Sequence, residues 1–256
     1  MKRILGHVVS LLAAGTVAGA VMPACATNDQ TIFIHGALAP SANRSAGCVW
    51  NNDPGQAALF EARLDIGVTD SYVAVLLVGN QLITRGDPQN NRAESNRAHI
   101  NGGIVRVTEP NGTLIREFTS LATGFNDPGQ NNAPGYGVIG LVVVDAPTRD
   151  LLLPSLPKRD VSKTVLINVK VFGTTLGGVS LESGEYQLPM QVCNGCLVNF
   201  AAGYDPTSKT QPKNCDKVSS TTTTTAQSVP CFPGQDEGVS CTSCVGARKA
   251  CDPNTP

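Results

Sequence analysis

The chain has 256 residues and a formal net charge of −1, with 19 Lys+Arg against 20 Asp+Glu. Charged residues make up only 15% and aromatics 5%, against about a quarter charged in an ordinary globular protein. Near-neutrality without any Lys/Arg block removes the electrostatic basis for nucleic-acid binding. The length accommodates one large domain, or a domain with an appendage.

The first elements describe export. Lys2 and Arg3 precede an uncharged, mostly apolar run from Ile4 to Val21, followed by Met22-Pro23-Ala24-Cys25-Ala26. A basic start, an apolar middle and a small-residue exit predict a secretory signal peptide over 1–24. The competing reading is a retained membrane anchor, but the run is interrupted by Gly6, Ser10, Gly15, Thr16 and Gly19 and sits at the lower length limit for spanning. Two cuts stay open. Ala24-Cys25-Ala26 fits the small-x-small rule and would release a soluble chain starting at Thr27. Alternatively, Ala24-Cys25 resembles a lipobox, which makes Cys25 a lipidated first residue and the membrane a partner through that lipid. Met22 and Pro23 depart from the usual residues of such a box.

From 27 to 199 the pattern is that of a β domain. Apolar runs such as Tyr72 to Val78 and Val138 to Val144 have strand length. Phe60, Ala62, Leu64 and Ile66 alternate with polar residues, as do Val165, Ile167, Val169 and Val171, and then Tyr186, Leu188, Met190 and Val192; this period of two marks half-buried strands. Pro189 cannot donate to a ladder, which places its strand at an edge or at a bulge. Ile104 to Thr108 and Thr113 to Thr119 flank Glu109-Pro110-Asn111-Gly112, a hairpin signal. With Thr31 to His35 there are about eight strands and no intervening helix pattern, and Arg85 to Asn96 reads as an exposed loop. The expectation is an all-β fold, an antiparallel immunoglobulin-like β-sandwich, with a jelly roll or irregular barrel as the alternative.

The remainder, 200–256, is a Cys-rich, loop-like extension. It contains no Leu, Ile or Met, its large apolar residues are Phe200, Tyr204, Val218, Val229, Phe232, Val239 and Val245, and Thr221 to Thr225 are uninterrupted threonine. So little apolar area cannot offset an ordering cost of roughly 1–2 kcal/mol per residue. Crosslinks are the alternative. Cys215, Cys231, Cys241, Cys244 and Cys251 lie in the extension, and Cys48, Cys193 and Cys196 in or beside the β domain. In an exported chain these cysteines read as disulfides. The extension holds an odd number, so complete pairing requires at least one bond between it and Cys48, Cys193 or Cys196. Cys193 and Cys196, at the end of the last predicted strand, are the natural partners.

The run Cys193-Asn194-Gly195-Cys196-Leu197-Val198, together with Pro230-Cys231-Phe232-Pro233-Gly234-Gln235-Asp236-Glu237 and Cys241, resembles uncharacterised bacterial secreted lipoproteins. The resemblance implies an envelope or surface location, as an outer-membrane lipoprotein or a secreted protein, and no known activity.

Other motifs carry bland readings. The two C-x-x-C units, Cys193/Cys196 and Cys241/Cys244, could chelate zinc, but their wide separation and the exported context favour disulfides, so neither a metal nor a cofactor is expected. Thr31-Ile32-Phe33-Ile34-His35-Gly36 resembles a hydrolase oxyanion strand, yet no G-x-S-x-G elbow exists, and Ser180 lacks the second glycine. His35 and His99 read as strand or loop histidines. Arg85-Gly86-Asp87 and the repeated Asp53-Pro54-Gly55-Gln56 and Asp127-Pro128-Gly129-Gln130 read as turns, with Pro233-Gly234-Gln235 a partial third copy. Trp50, near Cys48, is expected to pack on a disulfide. With no nucleophile–base pair, the expected function is a non-enzymatic interaction or structural role with a protein or glycan partner. The alternative is a carbohydrate-binding or polysaccharide-acting module using Trp50 and exposed tyrosines among Tyr72, Tyr136, Tyr186 and Tyr204.

Overall fold

The computed structural model describes residues 31–41, 47–157, 161–199 and 230–240. The expected signal segment, Cys25, Cys215, Cys241, Cys244 and Cys251 lie outside the described residues. The protein is all-β. In chain order the strands are β1 (Ile32–Leu38), β2 (Ala58–Leu59), β3 (Ala62–Asp65), β4 (Tyr72–Asn80), β5 (Ala98–Thr108), β6 (Leu114–Asn126), β7 (Gly135–Val144), β8 (Ser162–Thr175), β9 (Ser180–Glu182), β10 (Tyr186–Cys193), β11 (Val198–Asn199) and β12 (Val239–Ser240). A short helix, α1 (Ala146–Leu152), follows β7.

Two main sheets enclose one core. The first runs β2-β1-β4-β7; the second runs β3-β10-β8-β5-β6, with β9 joined to β8, and curls into a half-barrel. Period-two alternation aims Val165, Ile167, Val169 and Val171 of β8 and Leu188, Met190 and Val192 of β10 at Leu76 and Val78 of β4 and Ile139 and Leu141 of β7, all in the same buried cluster. β4 is apolar on both faces because both are covered. Its outward Val75 and Leu77 join Leu38 in a second cluster beneath Trp50, Tyr136, Val138 and Phe232.

The hairpin at Glu109-Pro110-Asn111-Gly112 joins β5 to β6, with the Gly112 amide donating to the Glu109 carbonyl at 2.9 Å. Only Gly112 takes a positive φ there, 88°, so Pro110 and Asn111 form an ordinary turn and the glycine absorbs the left-handed residue. Pro189 pairs with Leu166 of β8, whereas the pairing of β10 with β3 begins only at Met190. The proline therefore sits where β10 is locally an edge, and no ladder bond is lost.

Three expectations are corrected. Phe60 is not on the buried face of β3: the strand begins at Ala62, and Phe60 is 90% exposed on the bend before it. The sheet is not wholly antiparallel, since β3 runs parallel to β10; no hairpin links them, so no turn dictates their direction. A helix does occur between strands. Asp145 caps α1 by accepting from the Thr148 amide at 2.9 Å, with Pro147 in the first turn, a capping arrangement that starts a helix too short to show a stripe.

At one end of the body, two buried asparagines fasten the loops. Asn80 donates to the carbonyls of Asn96 (3.0 Å) and Asn126 (3.3 Å) and accepts from the Leu82 amide at 3.0 Å, while Asn126 donates to the Val78 carbonyl at 2.8 Å. Removing such an amide leaves buried carbonyls without donors, at about 1–3 kcal/mol. Asn80→Ala is expected to lower the unfolding free energy by about 2–3 kcal/mol, read from urea denaturation; a change within experimental error would show that the network does not hold these loops.

Candidate functional site

The strongest convergence of chemistry-bearing groups lies where residues 230–240 cross the body as a strap. Cys231 is bonded to Cys48, 183 residues away, with Cα atoms 5.6 Å apart. Beside that bond the Phe232 ring stacks on Trp50, with centroids 5.5 Å apart and planes 27° apart, and both rings cover the outer apolar cluster of the first sheet. Beyond Pro233 the strap turns onto the free edge of β3. The Asp65 amide donates to the Gly234 carbonyl at 2.9 Å, the Asp236 amide donates to the Arg63 carbonyl at 2.9 Å, and the Arg63 amide donates to Asp236 Oδ1 at 2.8 Å. These bonds satisfy an otherwise open strand edge.

Polar side chains, not apolar ones, complete the contact. Gln235 is buried; its carbonyl oxygen accepts from the Val73 amide at 3.2 Å, and its amide nitrogen donates to the Ser71 carbonyl at 2.9 Å. The side chain thus acts as an extra peptide group between β3 and β4. Tyr72 Oη donates to Asp236 Oδ2 at 2.5 Å. Gly234 has φ of 83°, and a Cβ there would approach Val68 Cβ to 2.9 Å, so conformation and space both demand glycine. Past the turn, the Val239 amide donates to the Leu197 carbonyl at 2.6 Å, and β12 pairs with β11.

Cys193 and Cys196 do not supply the anchor. They are bonded to each other, with Cα atoms 5.9 Å apart. The cause is Asp65. Its buried carboxylate accepts from the amides of Gly67 (3.0 Å), Gly195 (2.6 Å) and Leu197 (2.9 Å), winding the Asn194-Gly195 turn so that the flanking cysteines meet. The crosslink that the odd count requires is therefore made through Cys48. Asp65, Cys193 and Cys196 place potential ligand atoms within 4.8 Å of one another, but disulfide sulfurs are not thiolates and Asp65 already accepts three N–H donors, so this donor set does not fit a metal.

The remaining sequence candidates are dispersed. His35 lies on β1, its ring edge-on to Tyr136 at 5.6 Å; His99 lies on β5 in the other sheet, stacked on Phe125 at 4.6 Å. Ser180 sits on β9 opposite Thr174. Trp50 offers no open platform, because its ring is stacked on Phe232 and its indole N–H is buried. Tyr72 is buried and Tyr186 Oη accepts from the Ala37 amide at 3.2 Å; Tyr204 is outside the described residues. In Arg85-Gly86-Asp87, Asp87 Oδ1 accepts from the Gln89 amide at 3.0 Å, and Glu94 Oε2 accepts from the Arg85 (2.8 Å) and Gly86 (2.7 Å) amides. Asp53 likewise serves its own turn, accepting from the Gly55 amide at 2.8 Å. Sequence reasoning missed Gln235 and Asp236. The partial third Pro-Gly-Gln copy was their signal, read only as a turn.

No protein-family model and no curated protein matches this chain. Among solved structures, the chain is similar to a protein designated ApaA from Bordetella pertussis, at 14% identity and a TM-score of 0.22, over 50% of this chain and 88% of the other. A protein designated as late embryogenesis abundant matches at 17% identity and a TM-score of 0.22, over 50% of this chain and 71% of the other. Likeness at this level carries no argument about fold or function.

What the site can do follows from its protonation. Burial raises the Asp236 carboxyl above its ordinary 3.8, with Glu237 adding to the rise and the Tyr72 hydroxyl, the Arg63 amide and the Arg63 charge opposing it. Burial, reinforced by the negative charge of Asp236, also keeps the Tyr72 phenol protonated past its ordinary 10.0. Both carboxylate oxygens are bonded to the protein, so the pair fastens the strap and offers no open base. Because folded Asp236 holds its proton more tightly than the unfolded chain does, its contribution to stability is fully present below 3.8 and is lost as pH rises through the folded value. Because Asp87, Glu94 and Asp145 have lowered pKa values and add a slope of opposite sign, the readout is the difference in urea-unfolding free energy between the native protein and Asp236→Asn. The native advantage should shrink as pH rises from acidic to neutral, and an advantage that grows with pH would contradict the assignment. Gly234→Val should cost about 2–3 kcal/mol through backbone strain and the clash with Val68, measured in the same way; a loss below about 0.5 kcal/mol would show the strap is not held tightly.

Proposed function

We propose that this chain is a non-enzymatic, exported protein of the bacterial envelope, tethered by lipid on Cys25, whose immunoglobulin-like β-sandwich serves an interaction or structural role. The observation that carries this reading is the Cys48–Cys231 crosslink. Such bonds form and persist in oxidising compartments. In the chain-entropy model, closing 183 residues of sequence contributes about 5 kcal/mol. The strap has little apolar area to add to its polar contacts, since Phe232 and Val239 are its large apolar residues. In a reducing cytosol that contribution would vanish. The leader pattern ending at Ala24 supports export, and two sheets around one shared core support the sandwich architecture.

An interaction role is supported over catalysis by the same geometry. The Asp236 carboxylate of the strap and the Tyr72 phenol beneath it are committed to each other, and His35 and His99 lie on different sheets. Fractionation of the native organism tests the reading. The mature protein should appear in the detergent-soluble membrane fraction without alkylatable thiols, and Cys25→Ala should move it to the soluble fraction. Recovery from the cytosol with leader intact and reactive cysteines would overturn it.

A further inference from the structure

The loop end fastened by Asn80 and Asn126 is open where the strap is closed. There the β4–β5 loop and the β6–β7 loop form a groove of about 600 Å³, lined among others by Gln81, Ile83, Gln130, Asn131, Asn132 and Pro134. We propose that this groove is a binding site for a neutral, polyhydroxylated ligand, a short uncharged oligosaccharide. The inference goes beyond the envelope reading and rests on the groove alone, so the place of the protein in the cell does not affect it.

The floor is rigid. The Gly129 amide donates to the Leu82 carbonyl at 2.7 Å, and the Thr84 amide donates back to the Gly129 carbonyl at 3.2 Å, so the two loops are bridged like strands. One wall is a two-residue turn. Gln130 and Ala133 exchange backbone bonds of 3.0 and 2.9 Å around Asn131 and Asn132, whose φ values of 52° and 64° are those of a tight hairpin. Loops carried on a fastened frame are the usual place for recognition.

The lining selects the ligand class. It contains no charged side chain, which removes the attraction for phosphates, nucleic acids and metal ions. Gln81, Gln130, Asn131 and Asn132 all line this groove; their side-chain amides each offer donors and an acceptor, and among the described residues none of the four makes a side-chain hydrogen bond within the protein. A sugar hydroxyl is likewise both donor and acceptor, so adjacent hydroxyls can be met in pairs. Ile83, 71% exposed, and Pro134 line the same groove and supply apolar surface for the C–H face of a sugar ring. The size falls within the range of ordinary ligand pockets, roughly 300–1,000 Å³.

The test uses the full oxidised chain on an array of neutral glycans, followed by amide chemical-shift mapping with each glycan that binds. Binding of at least one neutral glycan, with shifts at 81–84 and 129–134 and no loss at high salt, is expected. The variant Asn131→Gly/Asn132→Gly removes two amides while glycine keeps the positive φ values, so it should fold normally and bind at least about tenfold more weakly. Gln81→Leu should weaken binding without touching the turn. A silent array, shifts confined to other surfaces, affinity that falls with salt, or affinity unchanged in both variants would each overturn the proposal.

Discussion

The structure depends on how an open strand edge is closed. β3 ends the six-stranded sheet, and its outward backbone groups at Arg63 and Asp65 would face solvent without a partner. A strand edge in that state is a template for pairing with another chain. Here Gly234 and Asp236 take the place of a neighbouring strand, and one covalent bond from Cys231 to Cys48 keeps them there. The strap also covers the outer face of the first sheet through Phe232, so a single short segment closes one sheet's edge and shields the other sheet's surface. Its adhesion is mainly polar and covalent, with Phe232 and the buried Val239 as its apolar contacts. That suits a segment whose composition cannot form an apolar core.

Two fastenings at opposite ends of the scale of openness follow from this arrangement. Around the strap, Asp65, Gln235 and Asp236 spend their oxygens on backbone amides and a phenol, leaving nothing for a ligand. Around the groove, Asn80 and Asn126 are spent on backbone carbonyls, and the amides beyond them are not. Buried amides fix the loops that carry the exposed ones. A site of this kind needs only a rigid frame, which the two-sheet core provides.

Much of the frame was legible because its signals are local. Alternation at Val165 to Val171 and at Tyr186 to Val192 reports burial directly, and Pro110 and Gly112 report their turn. Phe60 misled because alternation continues one residue pair beyond the strand that causes it. α1 escaped because its one capping residue, Asp145, precedes too few turns to repeat an apolar spacing. The strap was legible only as a cysteine count. Parity requires a link, but pairing depends on geometry, and the geometry is set by Asp65, distant in sequence, drawing Cys193 and Cys196 together. Docking by Gln235 and Asp236 leaves no hydrophobic pattern at all, so periodicity is blind to it.

The Cys48–Cys231 bond holds the strap against β3, and amide hydrogen exchange tests this most directly. In the oxidised protein the Arg63 and Asp65 amides should be protected, because Asp236 and Gly234 accept from them. In the Cys48→Ser/Cys231→Ser protein those two amides should exchange faster, while Ile167 and Val169 of β8 keep their protection. Protection at Arg63 and Asp65 that is unchanged without the crosslink would contradict the account.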